Sequence, residues 1–185
     1  MSDLLAPGVY IEFDASIYGG GAALWRGIAR RRREFPPDEW FAVSWDQDWG
    51  RLIGATPGDP NHQASWEALC LFIAARLWID NTLGPACMVG DAEGILFDLI
   101  QMRGKSPVIN DVAKELALYL APLGKDLSGM HIWGAQNKIA DELSRLSEAK
   151  GESSIVDWLQ WTSSRRSLPP LSEWDLQILG RASSS

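Results

Sequence analysis

Four acidic residues lie where the sequence predicts the ends of secondary-structure elements: Asp14, Glu67, Asp91 and Asp141. Carboxylates that meet at one point repel each other unless a cation joins them. Oxygen ligands of this kind suit Mg²⁺ or Mn²⁺. Two such ions about 3.5–4 Å apart can hold a phosphodiester, one activating water and the other stabilising the leaving 3′-oxygen. If the four acids converge, the sequence predicts a two-metal site for phosphodiester hydrolysis.

Each acid taken alone has a simpler explanation. Asp14 at a strand end could be only a turn former, and Asp91 after Gly90 could be only a helix N-cap. An acid in the first helical turn gains about 0.3–1 kcal/mol from the helix dipole, which would account for Glu67 or Asp141. Four separate local roles therefore remain the alternative to one shared metal site.

The element that must deliver Asp14 is a β-hairpin near the N-terminus. Residues 9–13 are apolar and β-prone, and a glycine cluster separates them from a second apolar run that ends at Trp25. We predict strands over residues 7–14 and 17–25, and a third strand over residues 40–45. Three consecutive antiparallel strands predict a meander.

After the meander, apolar runs at helical spacing alternate with short apolar segments. Residues 46–63, rich in Gly and Pro, predict a loop. Helices are predicted to begin at the caps Ser65, Asn110 and Asn137 and at Glu93, and strands are predicted over 86–89 and 130–133, the latter starting as early as 127. The order predicts an α/β fold with a five-stranded mixed sheet: a three-strand antiparallel meander plus two parallel strands, flanked by helices. If the first and fourth strands are parallel neighbours, Asp14 and Asp91 emerge at the same carboxyl edge.

The 185-residue chain is 46% hydrophobic, enough for one cored domain. We predict that domain over residues 1–150. A Ser- and Pro-rich extension or linker, partly disordered and ending in three serines, is predicted over residues 151–185. No apolar run approaches the roughly 20 residues that a membrane span needs, and no signal peptide is visible. We therefore expect no membrane partner, an intracellular location in cytoplasm or nucleus, and reduced, buried Cys70 and Cys87.

The formal net charge of −7 argues against a protein that coats nucleic acid generally. It is compatible with an enzyme that has a local basic surface. A basic cluster follows the hairpin: Arg26, Arg30, Arg31, Arg32 and Arg33. The cluster is either a solvated loop or a contact with phosphates.

The segment Gly134–Arg145, with sequence GAQNKIADELSR, resembles the G-x-x-N-x-x-A-D-x-L-S-R ending of ribonuclease H domains from retroelement (retrotransposon- or pararetrovirus-like) reverse transcriptases. The opening D-A-S…G-G-A of those domains is similar to residues 14–22. Glu67-Ala68-Leu69 and Gly90-Asp91 are similar to their second and third motifs. The resemblance covers roughly residues 7–147.

The resemblance implies the ribonuclease H fold and cleavage of the RNA strand of RNA–DNA hybrids by two Mg²⁺ or Mn²⁺ ions. It implies that Asp14, Glu67, Asp91 and Asp141 are the metal ligands, and that a polymerase domain of the same polyprotein is a partner. We expect nucleic-acid contacts from a further set of residues: Ser16, Arg30, Arg31, Arg32, Arg33 and Asn137.

The chain departs from the family pattern at two places. The loop before the last helix, residues 134–136, lacks the histidine that many ribonucleases H carry, and His131 is expected to be a packed strand residue. Only Arg103 and Lys105 lie near the place of the family's basic protrusion. A related integrase- or resolvase-type DNA nuclease and a non-catalytic scaffold that binds a protein or RNA therefore stay as alternatives. Most of the ten tryptophans should lie in the core, and one or two near the site could stack on a hybrid.

Overall fold

A computed structural model describes residues 8–26, 35–148 and 154–180 of the chain. These residues contain six strands and six α-helices. The strands are β1 Val9–Ala15, β2 Gly19–Arg26, β3 Glu39–Ser44, β4 Ala86–Gly90, β5 Leu127–His131 and β6 Ser164–Arg165. The helices are α1 Gln47–Ile53, α2 Gln63–Trp78, α3 Glu93–Ile100, α4 Pro107–Leu123, α5 Lys138–Ser144 and α6 Ser154–Thr162. Short 3₁₀ turns lie at Pro60–His62, Ile79–Asn81, Gly134–Gln136 and Leu171–Glu173.

The strands form one mixed sheet in the order β5-β4-β1-β2-β3-β6. β1, β2 and β3 are an antiparallel meander, and β4 pairs in parallel with both β1 and β5. The predicted α/β architecture is thereby confirmed. The two-residue strand β6, parallel to β3, is a sixth strand that the sequence analysis did not predict.

Helices cover both faces of the sheet around β1. Neighbouring residues of a strand point to opposite faces, and Gly20 faces Cys70 of α2 whereas Gly21 faces Leu143 of α5. The larger apolar cluster includes residues of β1, α2, α3 and α4, and the smaller one joins β2 and β3 to α5 and α6. Because both faces are covered, β1 is buried along almost its whole length.

The predicted loop over residues 46–63 is wrong for residues 47–53, which form α1. The Asp46 side chain caps this helix by accepting from the Asp48 and Trp49 amides, and Gly54 ends it in the left-handed region with φ of 64°. Trp49 and Ile53, one helical turn apart, are buried. Capping and burial of this turn outweigh the low helix propensity of Gly50.

Two helices begin earlier than the sequence predicts. α2 begins at Gln63 and not after Ser65, and α4 begins at Pro107. Ser106 caps α4 by accepting from the Ile109 amide, and proline is well suited to the first position of a helix. Glu67 consequently lies beyond the first turn of α2.

Residues 154–180 differ from the linker that the sequence predicts, because they pack against the rest of the fold. Leu159 of α6 lies in the smaller apolar cluster, and Trp174 and Leu179 lie in the larger one. The buried Glu115 carboxylate of α4 accepts from three successive amides of residues 177–179, at 2.8, 2.6 and 2.9 Å. The domain division at residue 150 stays a prediction, and the final serines lie outside the described residues.

Two further sequence expectations concern cysteines and membranes. Cys70 and Cys87 are free and buried, as predicted. Within the described ranges, no helix combines the length and the apolar character that crossing a membrane requires.

Candidate active site

Asp14 and Asp91 lie side by side at the carboxyl edge of the two central parallel strands. The register of β1 and β4 pairs Glu12 with Val89. Continuing that register by two residues brings Asp14 opposite Asp91. The structure therefore brings these two acids together at the edge where open α/β sheets place their sites.

Helix α5 reaches this edge because β2 has glycine where the helix crosses it. A Cβ atom on Gly21 would lie 2.3 Å from Leu143 Cβ and 2.7 Å from the Ser144 amide nitrogen. Gly21 pairs with Asp14 in the β1–β2 ladder. The close approach sets the buried Ser144 beside Asp14, with Ser144 Oγ 2.8 Å from Asp14 Oδ2.

Ser144 has a second acceptor in reach. Its Oγ also lies 2.8 Å from the Asp141 carbonyl oxygen. A hydroxyl donates one proton, so it cannot donate to both acceptors at once. A protonated Asp14 would resolve the conflict by donating to Ser144, which would then donate to Asp141.

Glu67 is held against the end of β1 by a glutamine one helical turn earlier. Gln63 Nε2 donates to the Ala15 carbonyl oxygen at 2.6 Å and to Glu67 Oε1 at 3.0 Å. This i, i+4 pair on α2 aims the carboxylate at the sheet edge.

Asp91 is approached by the loop that precedes α5. Asn137 Nδ2 donates to the Phe13 carbonyl oxygen at 3.0 Å and points to Asp91 Oδ1 at 3.5 Å. Both neighbours are acceptors, which fixes the orientation of the amide. A Cβ on Gly134 would lie 2.9 Å from Asp91 Oδ2, so the backbone of this loop passes close to the Asp91 carboxylate.

Asp141 is partly exposed to solvent, and an arginine lies beside it. It lies in the first turn of α5, and its Oδ1 accepts from Arg145 Nε at 2.9 Å. Exposed pairs of this type contribute about 0–1 kcal/mol. The arginine can therefore leave Asp141 at little cost when another cation arrives.

The electrostatics show that the acids influence one another. Burial raises the pKa of Asp14 to about 7, the Ser144 hydrogen bond opposes that rise, and the charges of Asp91, Asp141 and Glu67 add to it. Burial also raises the pKa of Glu67, with the Gln63 hydrogen bond opposing and the Asp91 charge adding. The charges of Asp91, Asp141 and Glu67 therefore all act on the Asp14 carboxyl group.

The carboxylates are not yet arranged as a metal-ligand cluster. Among the described residues, no group of three or more His, Cys, Asp or Glu side chains could hold an ion as placed. Each of the four acids is instead turned toward a donor of the protein: Ser144, Gln63, Asn137 and Arg145. Whether the acids ligate a metal stays a prediction.

The structure tests the simpler explanations one by one. The turn after β1 is built by Ser16 and not by Asp14. The N-cap of α3 is Ala92 and receives no side-chain capping bond, so Asp91 is not a helix cap. Glu67 is not in the first turn of α2, and only Asp141 keeps the helix-dipole explanation.

Two of the predicted nucleic-acid contacts are corrected. Ser16 is buried, and its Oγ donates to the Ser144 carbonyl oxygen at 3.0 Å while accepting from the Tyr18 and Gly19 amides. Asn137 is fully buried and bonds within the protein. Both residues therefore position the site and do not face a ligand. The remaining predicted contacts, Arg30, Arg31, Arg32 and Arg33, lie outside the described residues.

Three positioning residues were not singled out from the sequence. Ser144 lies inside the motif that the sequence analysis quoted, and Gln63 lies four residues before Glu67, so both had a spacing signal. Cys70 had none beyond its apolar surroundings. Its Sγ donates to the Asp14 carbonyl oxygen at 3.1 Å and secures α2 to the end of β1.

Comparison with known proteins identifies the fold. A scan of protein-family models and a search of curated proteins each return no match. RNase H1 from the halophilic archaeon Halobacterium salinarum NRC-1 is 19% identical with a TM-score of 0.53, over 76% of this chain and 98% of that one. The N-terminal RNase H domain of a Mycobacterium tuberculosis protein, solved as a fusion with maltose-binding protein, is 17% identical with a TM-score of 0.53, over 76% and 98%.

A third solved structure is LC11-RNase H1 in complex with an RNA/DNA hybrid. It is 14% identical with a TM-score of 0.50, over 73% of this chain and 92% of that one. Identities this low show the fold alone. The chain therefore has the ribonuclease H fold, and the predicted fold class is confirmed.

Proposed function

We propose that this protein is a metal-dependent endonuclease that hydrolyses the RNA strand of RNA–DNA hybrids. The observation that carries the proposal is the site around Asp14, whose carboxyl group is buried at the edge of the central strands and feels the charges of three other acids. The ribonuclease H fold and the likeness to a structure solved with an RNA/DNA hybrid support the same function.

The proposed metal ligands are Asp14, Glu67, Asp91 and Asp141, and their oxygen donors suit two Mg²⁺ or Mn²⁺ ions. When bound, such ions supply an activated water and stabilise the leaving 3′-oxygen. The protein's own residues set the positions of the ligands. Ser144 and Cys70 fix Asp14 from opposite faces of the sheet, and Asn137 ties the loop before α5 to the end of β1.

Protonation of Asp14 is part of this proposal. With a pKa of about 7, its carboxyl group carries a proton in a substantial fraction of molecules at neutral pH. A cation that binds must displace that proton, so metal binding should release protons and strengthen as pH rises.

We also propose that the domain acts in a reverse transcriptase of a retroelement, inside the cell. The motif in residues 134–145, with its asparagine, alanine-aspartate and leucine-serine-arginine at the family spacing, supports this context. A polymerase domain of the same polyprotein would then supply part of the grip on the hybrid, since the net charge of −7 gives this chain little general affinity for phosphates.

A non-catalytic scaffold with the same fold is the second candidate. The observation in its favour is that every one of the four carboxylates already has a protein donor, and that no described group of acids is arranged to hold an ion. Such a protein would bind its partner equally well with and without divalent cations.

Cleavage of labelled substrates tests the proposal. A hybrid is incubated with Mg²⁺ or Mn²⁺ beside single-stranded RNA, duplex RNA and duplex DNA, with Asp14→Asn as the matched variant. We expect metal-dependent cleavage of the RNA strand of the hybrid alone, lost in the variant. Cleavage of duplex DNA would indicate an integrase- or resolvase-type nuclease instead, and binding without any cleavage would indicate the scaffold.

A further inference from the structure

Trp133 is a large aromatic residue whose side chain is exposed to solvent. Seven of the ten tryptophans are buried, and the three that are exposed are Trp133, Trp158 and Trp161. Trp133 has a relative exposure of 72%. Its recorded ring contact is with His131, edge-on at 5.3 Å between centroids, which leaves most of the indole surface open.

The backbone on either side of Trp133 is fixed to the candidate active site. The Ile132 amide donates to the Gly90 carbonyl oxygen at 3.0 Å, at the end of β4. On the other side, the Cα of Gly134 lies so near Asp91 that a Cβ there would be 2.9 Å from its Oδ2. The Trp133 carbonyl oxygen accepts from the Gln136 amide at 2.7 Å. The open ring is therefore presented from a fixed backbone beside Asp91.

The sheet spacing sets how far the ring is from the acids. Trp133 follows β5, which is one strand from β4 and two from β1. Neighbouring strands lie about 4.8 Å apart, so the backbone of Trp133 is displaced by roughly 5–10 Å along the edge from the ends of β4 and β1. One strand of a nucleic-acid helix advances about 3.4 Å per nucleotide. A hybrid strand that ran along this edge from the acids would therefore have a nucleotide one to three steps away near Trp133.

We infer that Trp133 is a substrate-contact residue, whose indole packs against a sugar or base of the bound hybrid next to the scissile phosphate. This inference rests on the proposed function. An aromatic face suits the position because contacts of this kind are tolerant of sequence and need no positive charge. The acid-rich edge repels phosphates, and an uncharged contact adds affinity there without competing for the carboxylates.

Trp161 supplies a matched control. It is more exposed than Trp133, at 89%. It lines a cavity with Trp25 and Phe35. Trp25 pairs with Tyr10 near the start of β1, at the edge of the sheet opposite to Asp14. Loss of this indole removes the same chemical group far from the acids.

The experiment measures hybrid binding and cleavage in parallel. Dissociation constants are measured in the Asp14→Asn background, and KM and kcat in the wild-type background, for Trp133→Ala, Trp133→Phe and Trp161→Ala. We expect Trp133→Ala to raise the dissociation constant and KM by between about fivefold and about a hundredfold, the range of one stacking contact. The kcat value should change by less than about threefold, and Trp133→Phe should keep most of the affinity. Trp161→Ala should match its parent, and the unfolding temperatures should be unchanged, because both rings are exposed.

The outcomes separate this inference from the proposed function. Normal cleavage by the wild type together with an unchanged KM and dissociation constant for Trp133→Ala overturns the role of Trp133 and leaves the nuclease function intact. An equal loss in Trp161→Ala overturns it as well. If the wild type binds the hybrid but does not cleave it, the binding series still decides the role of Trp133. If the wild type neither binds nor cleaves, the proposed function fails and the contact fails with it.

Discussion

Two buried carboxylates of this protein have opposite surroundings. Glu115 on α4 accepts three hydrogen bonds from successive backbone amides of residues 177–179 and serves to fasten the C-terminal segment. Asp14 on β1 accepts a single hydroxyl, and three other acids raise its pKa beyond the effect of burial, to about 7. The same chemical group has three backbone donors in one place, and one hydroxyl donor among like charges in the other.

The difference separates a structural role from a proposed catalytic one. A buried carboxylate with several charge-assisted hydrogen bonds stabilises the fold by about 1.5–3 kcal/mol per bond. Acids within electrostatic reach of one another repel each other when ionised, and a bound cation would offset that repulsion. We therefore expect substitutions at Glu115 to affect stability and substitutions around Asp14 to affect activity.

The largest expected effect comes from Asp14→Asn. Removing the central carboxylate should lower hybrid cleavage by on the order of a thousandfold or more, because the proposed site loses a shared ligand. The fold should persist, since asparagine keeps the size of the side chain and can still bond to Ser144. Single-turnover cleavage measures the loss of activity, and circular dichroism shows whether the fold persists. Cleavage at the wild-type rate would refute the site assignment.

Glu115→Ala should destabilise the fold by about 3 kcal/mol, because three successive backbone amides lose the acceptor that the Glu115 carboxylate provides. The loss is limited because the segment of residues 177–179 can detach and become hydrated. Urea unfolding measures the change, and Asp111→Ala on the same helix is the control, since the Asp111 side chain is exposed and its ion pair among the described residues is with Lys114, at 3.4 Å. The rate of hybrid cleavage per folded molecule should be unchanged. A selective loss of that rate would show that the segment of residues 177–179 also affects the active site. The separation between the structural role of Glu115 and the proposed catalytic role of Asp14 would then fail.

The pH dependence of the free energy of unfolding should reveal the raised pKa of Asp14. Its pKa is raised from 3.8 to about 7 on folding, so the stability that its proton contributes is fully present below pH 3.8 and is lost as pH rises through 7. Without divalent cations, the wild type should lose roughly 2–3 kcal/mol relative to Asp14→Asn between pH 5 and pH 8. Urea unfolding of both proteins at several pH values measures the difference. Parallel curves for the two proteins would show that Asp14 is not perturbed.

Ser144→Ala should have the smallest effect. The hydroxyl lowers the pKa of Asp14 against the larger effect of burial, so its loss should raise that pKa further. The acid limb of the rate-versus-pH profile should then move to higher pH, with a stability cost of about 1 kcal/mol. Ser147→Ala is the control, because Ser147 Oγ donates to the Tyr18 carbonyl oxygen in the exposed turn after β1, at 3.2 Å. An unchanged rate-versus-pH profile would show that Ser144 does not influence the pKa of Asp14.

Local pattern was enough for most of the strands and helices, and it failed where partners are distant. Alternating apolar residues predicted β1 to β5, and strand ends and helix starts predicted Asp14, Asp91 and Asp141. The helix α1 was missed because its Gly50 and the surrounding glycines and prolines outweighed the Asp46 cap in the sequence pattern.

The long-range contacts could not be predicted. Glu115 and the amides of residues 177–179 are more than sixty residues apart, so no periodicity links them. Asn137 and Ser144 were visible as motif residues, but their inward hydrogen bonds depend on how α5 packs over Gly21. The exposure of Trp133 likewise follows from the loop geometry and not from its neighbours in sequence.

The central claim is that the edge formed by β1 and β4 is a divalent-metal site. A calorimetric titration of the wild type, Asp14→Asn and the surface variant Asp111→Asn with Mn²⁺ at pH 7.5 tests it most directly. We expect saturable binding with proton release in the wild type and in Asp111→Asn, and loss of that binding in Asp14→Asn. Equal binding by all three proteins, or no binding by the wild type, would contradict it.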